Sequence, residues 1–583
     1  ALTAQTVREH VTDDPVLLAL QVSRRLPPAA VGGAAGILTR LGRNGVVPAL
    51  GHEMRGERAA ALAALGVDEA GRPVRASRPG TGSRRGLVHR ADAALGMGRP
   101  DIAETLLGSV PEKRRGAAWT AAAARLAAHR GDLGGAAALA ARHPRNRHLA
   151  RRMAGERDAF RGVAPTVPTE PGYRPVPGRV LHVLTNSLPH TGSGYAQRSH
   201  AILTSLRDEG FDVAAVTRPG YPVQIGVPWA AQRDVVDGIG YARLLPARLA
   251  QGQAARIQQH AELLAAHVRR HRPALLHTTT HFVNALAVEA VARAFGIPWV
   301  YEVRGQLADT WAAVRGPEAL ASERYRLFQE REAEAARRAD GVVTLGAGMR
   351  DRLVAAGVAE DAVVLCPNAV GPAFVAEPAD RDEARARLGW DLPTDAFVVG
   401  TVSSLVDYEG LDTLLRAAAR LAPHRPGLRV HIAGDGVARP GLQALAAELG
   451  IAELCAFPGR VDREDARLHH AALDVFTVPR RDLPVTRAVT PMKTVEASAT
   501  GRPVVASDLP ALAELVEDER TGLLVPAEDP AALATALDRL AEDPAERARL
   551  GAAGRDWALQ TRTWEANARR YRALYDRLGV HPR

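Results

Sequence analysis

The residues best suited to chemistry lie in one short segment, residues 490–496. A turn at Thr490-Pro491 leads into a helical pattern that ends before Gly501. Backbone N–H groups and the positive end of the helix dipole favour a diphosphate at such a place. Glu496, early in that helix, could accept hydrogen bonds from ribose hydroxyls, as acidic residues do in dinucleotide folds. The alternative is a glutamate that only stabilises the helix dipole.

Cationic side chains that could neutralise a diphosphate surround this segment. Lys493 is one of two lysines among 75 basic residues, which favours a phosphate donor over a chance surface lysine. Arg480, Arg481 and Arg487 follow a predicted strand at 475–478, and arginine binds phosphate through paired N–H groups. We expect Lys493 and Arg487 to stabilise the charge that grows on a leaving phosphate. For the arginines, the alternative is solvated surface charge.

A second set of candidates lies in the first half of the chain, where a glycine-rich turn separates a predicted strand from a predicted helix. Glycines allow close approach of a ligand, and the helix end favours an anion, although an ordinary strand–helix turn has the same pattern. The candidates for phosphate or acceptor contact are Gly192, Ser193, Gly194, Tyr195, Arg198 and His281.

Arg304 follows a predicted strand at 299–303. Its guanidinium cannot act as a general base, because the pKa of arginine is above about 12. We expect it to bind phosphate or sugar hydroxyls at the site of catalysis, with structural ion pairing as the alternative. No acidic–histidine cluster has metal-ligand spacing, so we expect neither a metal nor a cofactor.

Composition limits the possible partners and location. Apolar residues make up 46% and charged residues 24%, as in soluble globular proteins. The net charge of +10 suits anionic partners, but aromatic residues are only 4%, too few to stack nucleic-acid bases. Two cysteines, no signal-peptide pattern and no run of 18 apolar residues indicate a cytoplasmic protein, with peripheral contact to the inner face of a membrane left open.

The sequence pattern divides the chain. Helical spacing dominates residues 1–160, with a Gly/Pro/Ser/Arg-rich loop at 71–85. A turn-like motif at 98–103 returns 31 residues later, at 130–133, and favours either a tetratricopeptide-like repeat or an irregular helical domain. Five prolines make residues 161–178 an extended, mobile linker. Strands then alternate with helices, which predicts two doubly wound sheets with a cleft between them. The predicted units are 179–371, 372–562 and a final helix at 563–583.

Five stretches of the second half carry a family resemblance. They are 400–412, 432–436 (Ile-Ala-Gly-Asp-Gly), 457–461 (Phe-Pro-Gly-Arg-Val), 490–497 (Thr-Pro-Met-Lys-Thr-Val-Glu-Ala) and 501–507. Their order resembles the nucleotide-sugar domain of glycosyltransferase family 4, retaining enzymes of the two-Rossmann GT-B architecture. Residues 192–195 and 301–305 resemble the acceptor half. The resemblance covers 179–580 and excludes the helical region.

The resemblance implies roles for individual residues. It places Glu496 at the ribose-binding glutamate of the family. The implied donor-binding residues are Glu496, Thr490, Pro491, Met492, Ser404, Gly434, Arg460, Arg480 and Arg481. Three positions depart from the family. Ala488 replaces a sugar-contacting glutamate, while Ser404 and Glu409 replace an arginine and a lysine. A branch of the family with the same loops shares these changes, so they do not indicate an inactive protein.

The implied function is metal-independent, retaining transfer of a sugar from a UDP- or GDP-linked donor to a glycan, polysaccharide or lipid-linked acceptor. The helical region would contact a membrane or a protein partner. The alternatives are a GT-B-like nucleotide-sugar epimerase and a non-catalytic scaffold.

Overall fold

The computed structural model describes residues 1–13, 28–41, 44–69, 72, 84–393 and 395–583. Most of the loop predicted at 71–85 lies outside this description, although Arg84 already begins a helix.

The first region is helical throughout the part that the structure describes. Its helices are α1 (Leu2–Asp13), α2 (Pro28–Arg40), α3 (Val46–Met54), α4 (Arg58–Ala64), α5 (Arg84–Gly96), α6 (Pro100–Gly108), α7 (Ala117–His129), α8 (Leu133–Ala141) and α9 (Arg147–Phe160). Helix α5 packs on α6, and α7 on α8, each pair joined through a left-handed glycine, Gly98 or Gly131. The recurring sequence motif therefore marks the same turn twice. A tetratricopeptide-like repeat stays a prediction.

The second region is built on an eight-stranded sheet. Its strands are β1 (Arg179–Leu184), β2 (Asp212–Thr217), β3 (Arg233–Val236), β4 (Ile239–Arg243), β5 (Leu275–Thr279), β6 (Trp299–Val303), β7 (Gly341–Thr344) and β8 (Val363–Leu365). The order is β3-β4-β2-β1-β5-β6-β7-β8, and only the β3–β4 pair is antiparallel. The helices are α10 (Gly194–Asp208), α11 (Gln253–His271), α12 (Phe282–Phe295), α13 (Leu307–Ala313), α14 (Glu323–Arg338) and α15 (Ala347–Ala355).

The third region contains a six-stranded, all-parallel sheet ordered β11-β10-β9-β12-β13-β14. Its strands are β9 (Phe397–Val402), β10 (Leu428–Ala433), β11 (Cys455–Gly459), β12 (Val475–Val478), β13 (Val504–Ser507) and β14 (Gly522–Val525). The helices are α16 (Pro372–Val375), α17 (Arg381–Arg387), α18 (Leu411–Leu421), α19 (Arg439–Glu448), α20 (Arg463–Ala471), α21 (Pro484–Ala488), α22 (Met492–Ala499), α23 (Pro510–Ala513), α24 (Pro530–Glu542), α25 (Pro544–Thr561) and α26 (Trp564–Arg577). The predicted fold class, two doubly wound sheets after a helical region, is confirmed.

The proline-rich segment 161–178 is extended, but it is not the mobile spacer that its composition predicts. It lies along the first sheet region, where the Glu170 N–H donates to the Ala294 carbonyl at 2.7 Å. The Tyr173 hydroxyl donates to the Pro273 carbonyl at 2.7 Å, and its ring packs edge-on against Phe295. Proline excludes helix without excluding packing, and the two aromatic rings bury apolar area that fixes the segment.

The helical region also packs against the first sheet region. Phe160, at the end of α9, is buried between Phe282 and Phe328 with ring centroids 5.2 and 5.4 Å away. Nearby, the Glu323 carboxylate accepts the Gly134 N–H and pairs with Arg161. The helical region is thus a layer of the same body.

Helix α26 returns to the first sheet region and packs on α10. Tyr571 and Tyr575 are fully buried there, beside Phe211. The chain therefore crosses twice between the sheet regions. The two crossings touch each other, since Val370 bridges Thr563 in parallel.

Candidate functional site

The turn at Thr490-Pro491 lies where the sequence places it, directly before α22. The Thr490 carbonyl accepts a 2.8 Å hydrogen bond from the Asn368 side chain, which belongs to the first crossing between the sheet regions. The hydroxyls of Thr490 and Thr494 are buried and have no hydrogen-bond partner among the described residues. The start of α22 is therefore held in place while it keeps unused polar groups.

Lys493 and Glu496 stand one turn apart on α22. Glu496 keeps 23% of its side chain exposed. The Lys493 ammonium forms no ion pair within 4 Å with any residue that the structure describes. Burial lowers the pKa of Lys493, whereas the nearby Glu409 and Glu496 carboxylates raise it. The Lys493 ammonium is thus partly desolvated and lies near two carboxylates.

Arg480 compensates the acidic residue that stands where the family has a lysine. Its Nη2 and Nε atoms donate to the two oxygens of Glu409 at 2.8 and 3.1 Å, and Nη1 donates to the Val489 carbonyl at 2.9 Å. Both side chains are largely buried. The charge of Glu409 is thus balanced by an arginine 71 positions away in the sequence.

Arg481 and Arg487, on the loop after β12, form ion pairs with protein carboxylates. Arg487 donates to both oxygens of Asp482 and keeps 54% of its side chain exposed. Arg481 pairs with Asp412 at 3.0 Å and with Glu528 at 3.1 Å. A catalytic role for Arg487 would require it to leave Asp482, so the structure does not support the role that the sequence suggests.

The remaining donor-side candidates lie on loops after the strands of the second sheet. Ser404 after β9 and Arg460 after β11 are exposed, whereas Met492 at the start of α22 is half-buried. Gly434, after β10, has φ of 136°, and its N–H donates to the Gly459 carbonyl at 2.7 Å. A Cβ at this position would lie 1.7 Å from the Ser403 carbonyl oxygen. Only glycine lets these two loops approach each other.

The glycine-rich turn lies at the start of α10, as predicted. Gly192, Ser193, Gly194 and Tyr195 are all exposed, and the Ser193 hydroxyl caps the helix by accepting from the Ala196 N–H. The Tyr195 ring is half exposed, while its hydroxyl lies against Gly305 at the carboxyl end of β6. Burial raises the pKa of Tyr195, with Tyr408 of the second sheet region adding to the effect. Tyr195 therefore lies near Tyr408, at the side of the first sheet region that is next to the second.

The structure does not support the ligand contacts that the sequence predicts for Arg198 and Arg304. Both guanidinium groups are almost fully buried and share the carboxylate of Glu302, which holds Arg198 Nη2 and Arg304 Nη2 at 2.8 Å each. These arginines hold the pKa of Glu302 well below its usual range. Arg304 also donates to the Ser199 hydroxyl at 2.6 Å. Both guanidinium groups therefore lie in the core beneath the glycine-rich turn, paired with Glu302.

Arg198 also ties three parts of the chain together. It donates to the carbonyls of Cys366 and Pro367 at 2.6 and 3.0 Å, and to the Asn368 side chain at 3.2 Å. Asn368 in turn donates to Thr490. The helix that follows the glycine-rich turn is thus linked, through the first crossing, to the loop before α22.

His281 is a helix cap in the structure. Its Nδ1 accepts the Val283 N–H at 3.3 Å, and its ring packs on Phe282 and Phe328. Burial lowers the pKa of His281 to about 3, so the ring is neutral. The predicted acceptor contact is not supported, because the ring belongs to the apolar contact with the helical layer.

The structure also places residues that sequence reasoning missed. Asn368 has no local motif. Glu409 and Arg480 were each noted from the sequence, but only the spatial arrangement shows that they pair. His470 of α20 is another such residue, since it is fully buried beside Glu496. Among the described residues, no group of three or more His, Cys, Asp or Glu side chains could hold a metal ion.

Comparison with known proteins is consistent with this geometry. The glycosyl transferases group 1 model matches residues 380–557, and the glycosyl transferase 4-like domain model matches residues 193–369, together more than half of the chain. The chain belongs to the family 4-like glycosyltransferases. The resemblance inferred from sequence is confirmed, and the two matched segments coincide with the two sheet regions.

Two curated relatives show the range of the family. A GDP-mannose-dependent alpha-(1-6)-phosphatidylinositol monomannoside mannosyltransferase of Mycolicibacterium smegmatis is 36% identical over 203 residues, 34% of this chain and 52% of the relative. A D-inositol 3-phosphate glycosyltransferase of Stackebrandtia nassauensis is 32% identical over 301 residues, 49% of this chain and 65% of the relative. The match thus spans about half to two thirds of these relatives.

Solved structures share the fold of this chain. Sucrose-phosphate synthase from Thermosynechococcus elongatus aligns with a TM-score of 0.57 at 22% identity, over 69% of this chain and 99% of that protein. Anabaena HepE in complex with UDP aligns with a TM-score of 0.55 at 18% identity, over 68% of this chain and all of that protein. At these identities the likeness establishes the fold alone. Of the helices described, none is both long and apolar enough to cross a bilayer.

Proposed function

We propose that this chain is a retaining glycosyltransferase that takes a nucleotide-diphosphate sugar as its donor and needs no metal. The observation that carries the proposal is the start of α22, where Lys493 and Glu496 stand one turn apart behind a fixed turn. The helix N-terminus and Lys493 suit a diphosphate, and Glu496 suits a ribose. Membership of the family supports this use of the site.

The chemistry assigned to each residue follows from charge. Departure of the nucleoside diphosphate places negative charge on the β-phosphate, which Lys493 and the N–H groups at the start of α22 would stabilise. The acceptor hydroxyl attacks from the face that the phosphate leaves, and its proton passes to that phosphate. The bond to the phosphate oxygen breaks as the new glycosidic bond forms, so retention requires no protein base.

The donor and acceptor classes rest on the relatives. One relative is named for GDP-mannose and phosphatidylinositol monomannoside, and another for D-inositol 3-phosphate. We propose a GDP- or UDP-linked hexose as donor and a hydroxyl of a glycan or inositol-type acceptor, free or lipid-linked. The exposed glycine-rich turn and Tyr195 would position that hydroxyl.

Isothermal titration calorimetry with UDP and GDP tests the donor site. Glu496→Ala should weaken binding of the preferred nucleotide by about 1–3 kcal/mol, the cost of removing a charged hydrogen-bond partner. Glu448→Ala, at the exposed end of α19, is the matched control and should leave binding unchanged. If the wild-type chain binds neither nucleotide, a non-catalytic scaffold replaces this proposal. A changed sugar without an acceptor would identify an epimerase instead.

We also propose that the helical layer makes a peripheral contact with an anionic membrane on the cytoplasmic side. Four exposed arginines near the start of α9 support it, since none forms an ion pair with a described residue: Arg142, Arg145, Arg147 and Arg151. Each arginine near an anionic surface adds about 1 kcal/mol. Sedimentation with phosphatidylglycerol vesicles should be lost on changing all four to glutamine, and in high salt. Equal binding of both proteins would refute the contact.

A further inference from the structure

His470 is a buried residue for which packing alone gives no reason to be polar. Its side chain is fully buried at the end of α20. The ring stacks on Phe476 with centroids 5.0 Å apart, and its edge faces Phe374 at 5.8 Å. Neither ring nitrogen has a hydrogen-bond partner among the described residues. A phenylalanine would fill the same space, and buried polar groups without a partner are uncommon in native proteins.

The polar group that His470 faces is the carboxylate of Glu496, with its Nε2 3.8 Å from Glu496 Oε2. That distance exceeds a hydrogen bond by about 1 Å, which a small rotation of the glutamate side chain would close. Burial and the positive charge of Lys493 lower the pKa of His470 to about 3, and His469 adds to this. The ring is therefore neutral near pH 7 and offers one N–H donor.

We propose that His470 is a positioning residue for Glu496, whose carboxylate accepts the His470 Nε2–H when the nucleotide binds. This inference rests on the proposed function, in which Glu496 binds the ribose. One carboxylate oxygen accepts from the imidazole, and the other accepts from the ribose hydroxyls. The neutral donor fixes the direction of the carboxylate without adding a positive charge that would compete with Lys493 for the diphosphate.

Two substitutions separate this role from packing. His470→Phe keeps a ring against Phe476 but removes the donor, whereas His470→Gln keeps an N–H donor near the position of Nε2. His470→Phe should weaken nucleotide binding about tenfold, as expected for losing one hydrogen bond to a charged group, and raise the donor KM with little change in kcat. His470→Gln should recover most of the affinity. His431→Phe is the control, because His431 is also buried but bonds His469 at 2.9 Å.

A spectroscopic readout keeps the test decisive even if a variant fails to fold. In the wild-type chain with ¹⁵N-labelled histidine, adding UDP or GDP should move the His470 Nε2–H proton downfield and slow its exchange with solvent. Absence of both changes during saturating nucleotide binding would overturn the inference.

The calorimetric outcomes also separate the inference from the proposed function. If Glu496→Ala weakens binding and His470→Phe does not, His470 has no positioning role and the donor site stands. If Glu496→Ala has no effect, the donor site itself is wrong. In the double variant, His470→Phe should add nothing to the loss caused by Glu496→Ala.

Discussion

Replacing Glu302 by glutamine should destabilise the first sheet region more than a typical substitution. Its carboxylate is fully buried and is the shared partner of Arg198 and Arg304. It also accepts from the Tyr571 hydroxyl at 3.0 Å and contacts His277 Nε2 at 3.2 Å. With the carboxylate present, the two guanidinium groups leave one net positive charge in the core. Glutamine would leave two, and its amide N–H groups would face other donors.

The magnitude follows from the cost of leaving a buried charge without its partner, about 3–5 kcal/mol. Urea unfolding followed by circular dichroism should show that the transition in which the first sheet region unfolds, called the first transition below, moves to a lower urea concentration in Glu302→Gln. The control is Glu330→Gln, which breaks an exposed pair with Arg326 one turn away and should cost at most about 1 kcal/mol. Adding Arg304→Met to Glu302→Gln should restore part of the loss, since it removes the extra charge.

A small effect would refute the reasoning. If Glu302→Gln and Glu330→Gln shift the first transition equally, the cluster does not depend on the carboxylate charge. If Arg304→Met worsens Glu302→Gln, packing and not charge governs the cluster.

Further predictions concern acid, packing, the donor loops and metal. The pKa of Glu302 is lower in the folded chain than the usual value of about 4.3. Its ionised carboxylate therefore stabilises the folded state fully above that pH, and this stabilisation is lost as the pH falls through the folded pKa. The free energy of unfolding of Glu302→Gln should accordingly depend less on pH below pH ~4.3 than that of the wild-type chain. Phe160→Ala should cost about 3–5 kcal/mol and make residues 1–160 sensitive to limited proteolysis. A chain that starts at Gly178 lacks Phe160, so it should expose Phe282 and Phe328 and aggregate. If residues 161–178 were instead a mobile spacer, the shortened chain would stay soluble and active. Gly434→Ala should abolish nucleotide binding in calorimetry while the chain stays folded. Transferase activity should survive EDTA; complete loss, restored by Mg²⁺ or Mn²⁺, would contradict the mechanism.

Local signals were sufficient where the chemistry is local. The turn at Thr490-Pro491, Lys493 and Glu496 lie within one short segment, so spacing and helix geometry predict their relation. The alternation of strands and helices likewise predicts both sheets, because each element buries its own apolar face.

Long-range pairing explains what the sequence could not predict. Arg304 does follow a strand at its carboxyl end, but whether its side chain faces a cleft or the core depends on Arg198 and Glu302, which pack against it only after folding. The same holds for Arg480, whose partner Glu409 is 71 positions away. The linker 161–178 was mispredicted for a similar reason, because its proline content indicates the local backbone conformation but not whether the segment packs on another part of the chain.

The paired crossing at Val370 and Thr563 has a mechanical consequence. The Val370 N–H donates to the Arg562 carbonyl at 2.8 Å, so the region of the second sheet enters and leaves the rest of the chain at one joint. Because the two connecting segments are held side by side, any movement of this region relative to the first sheet region has to pass through this one joint. This arrangement also makes the region suitable for domain exchange. Residues 371–562 could be replaced by the corresponding segment of a relative with two splice points that lie next to each other in the structure.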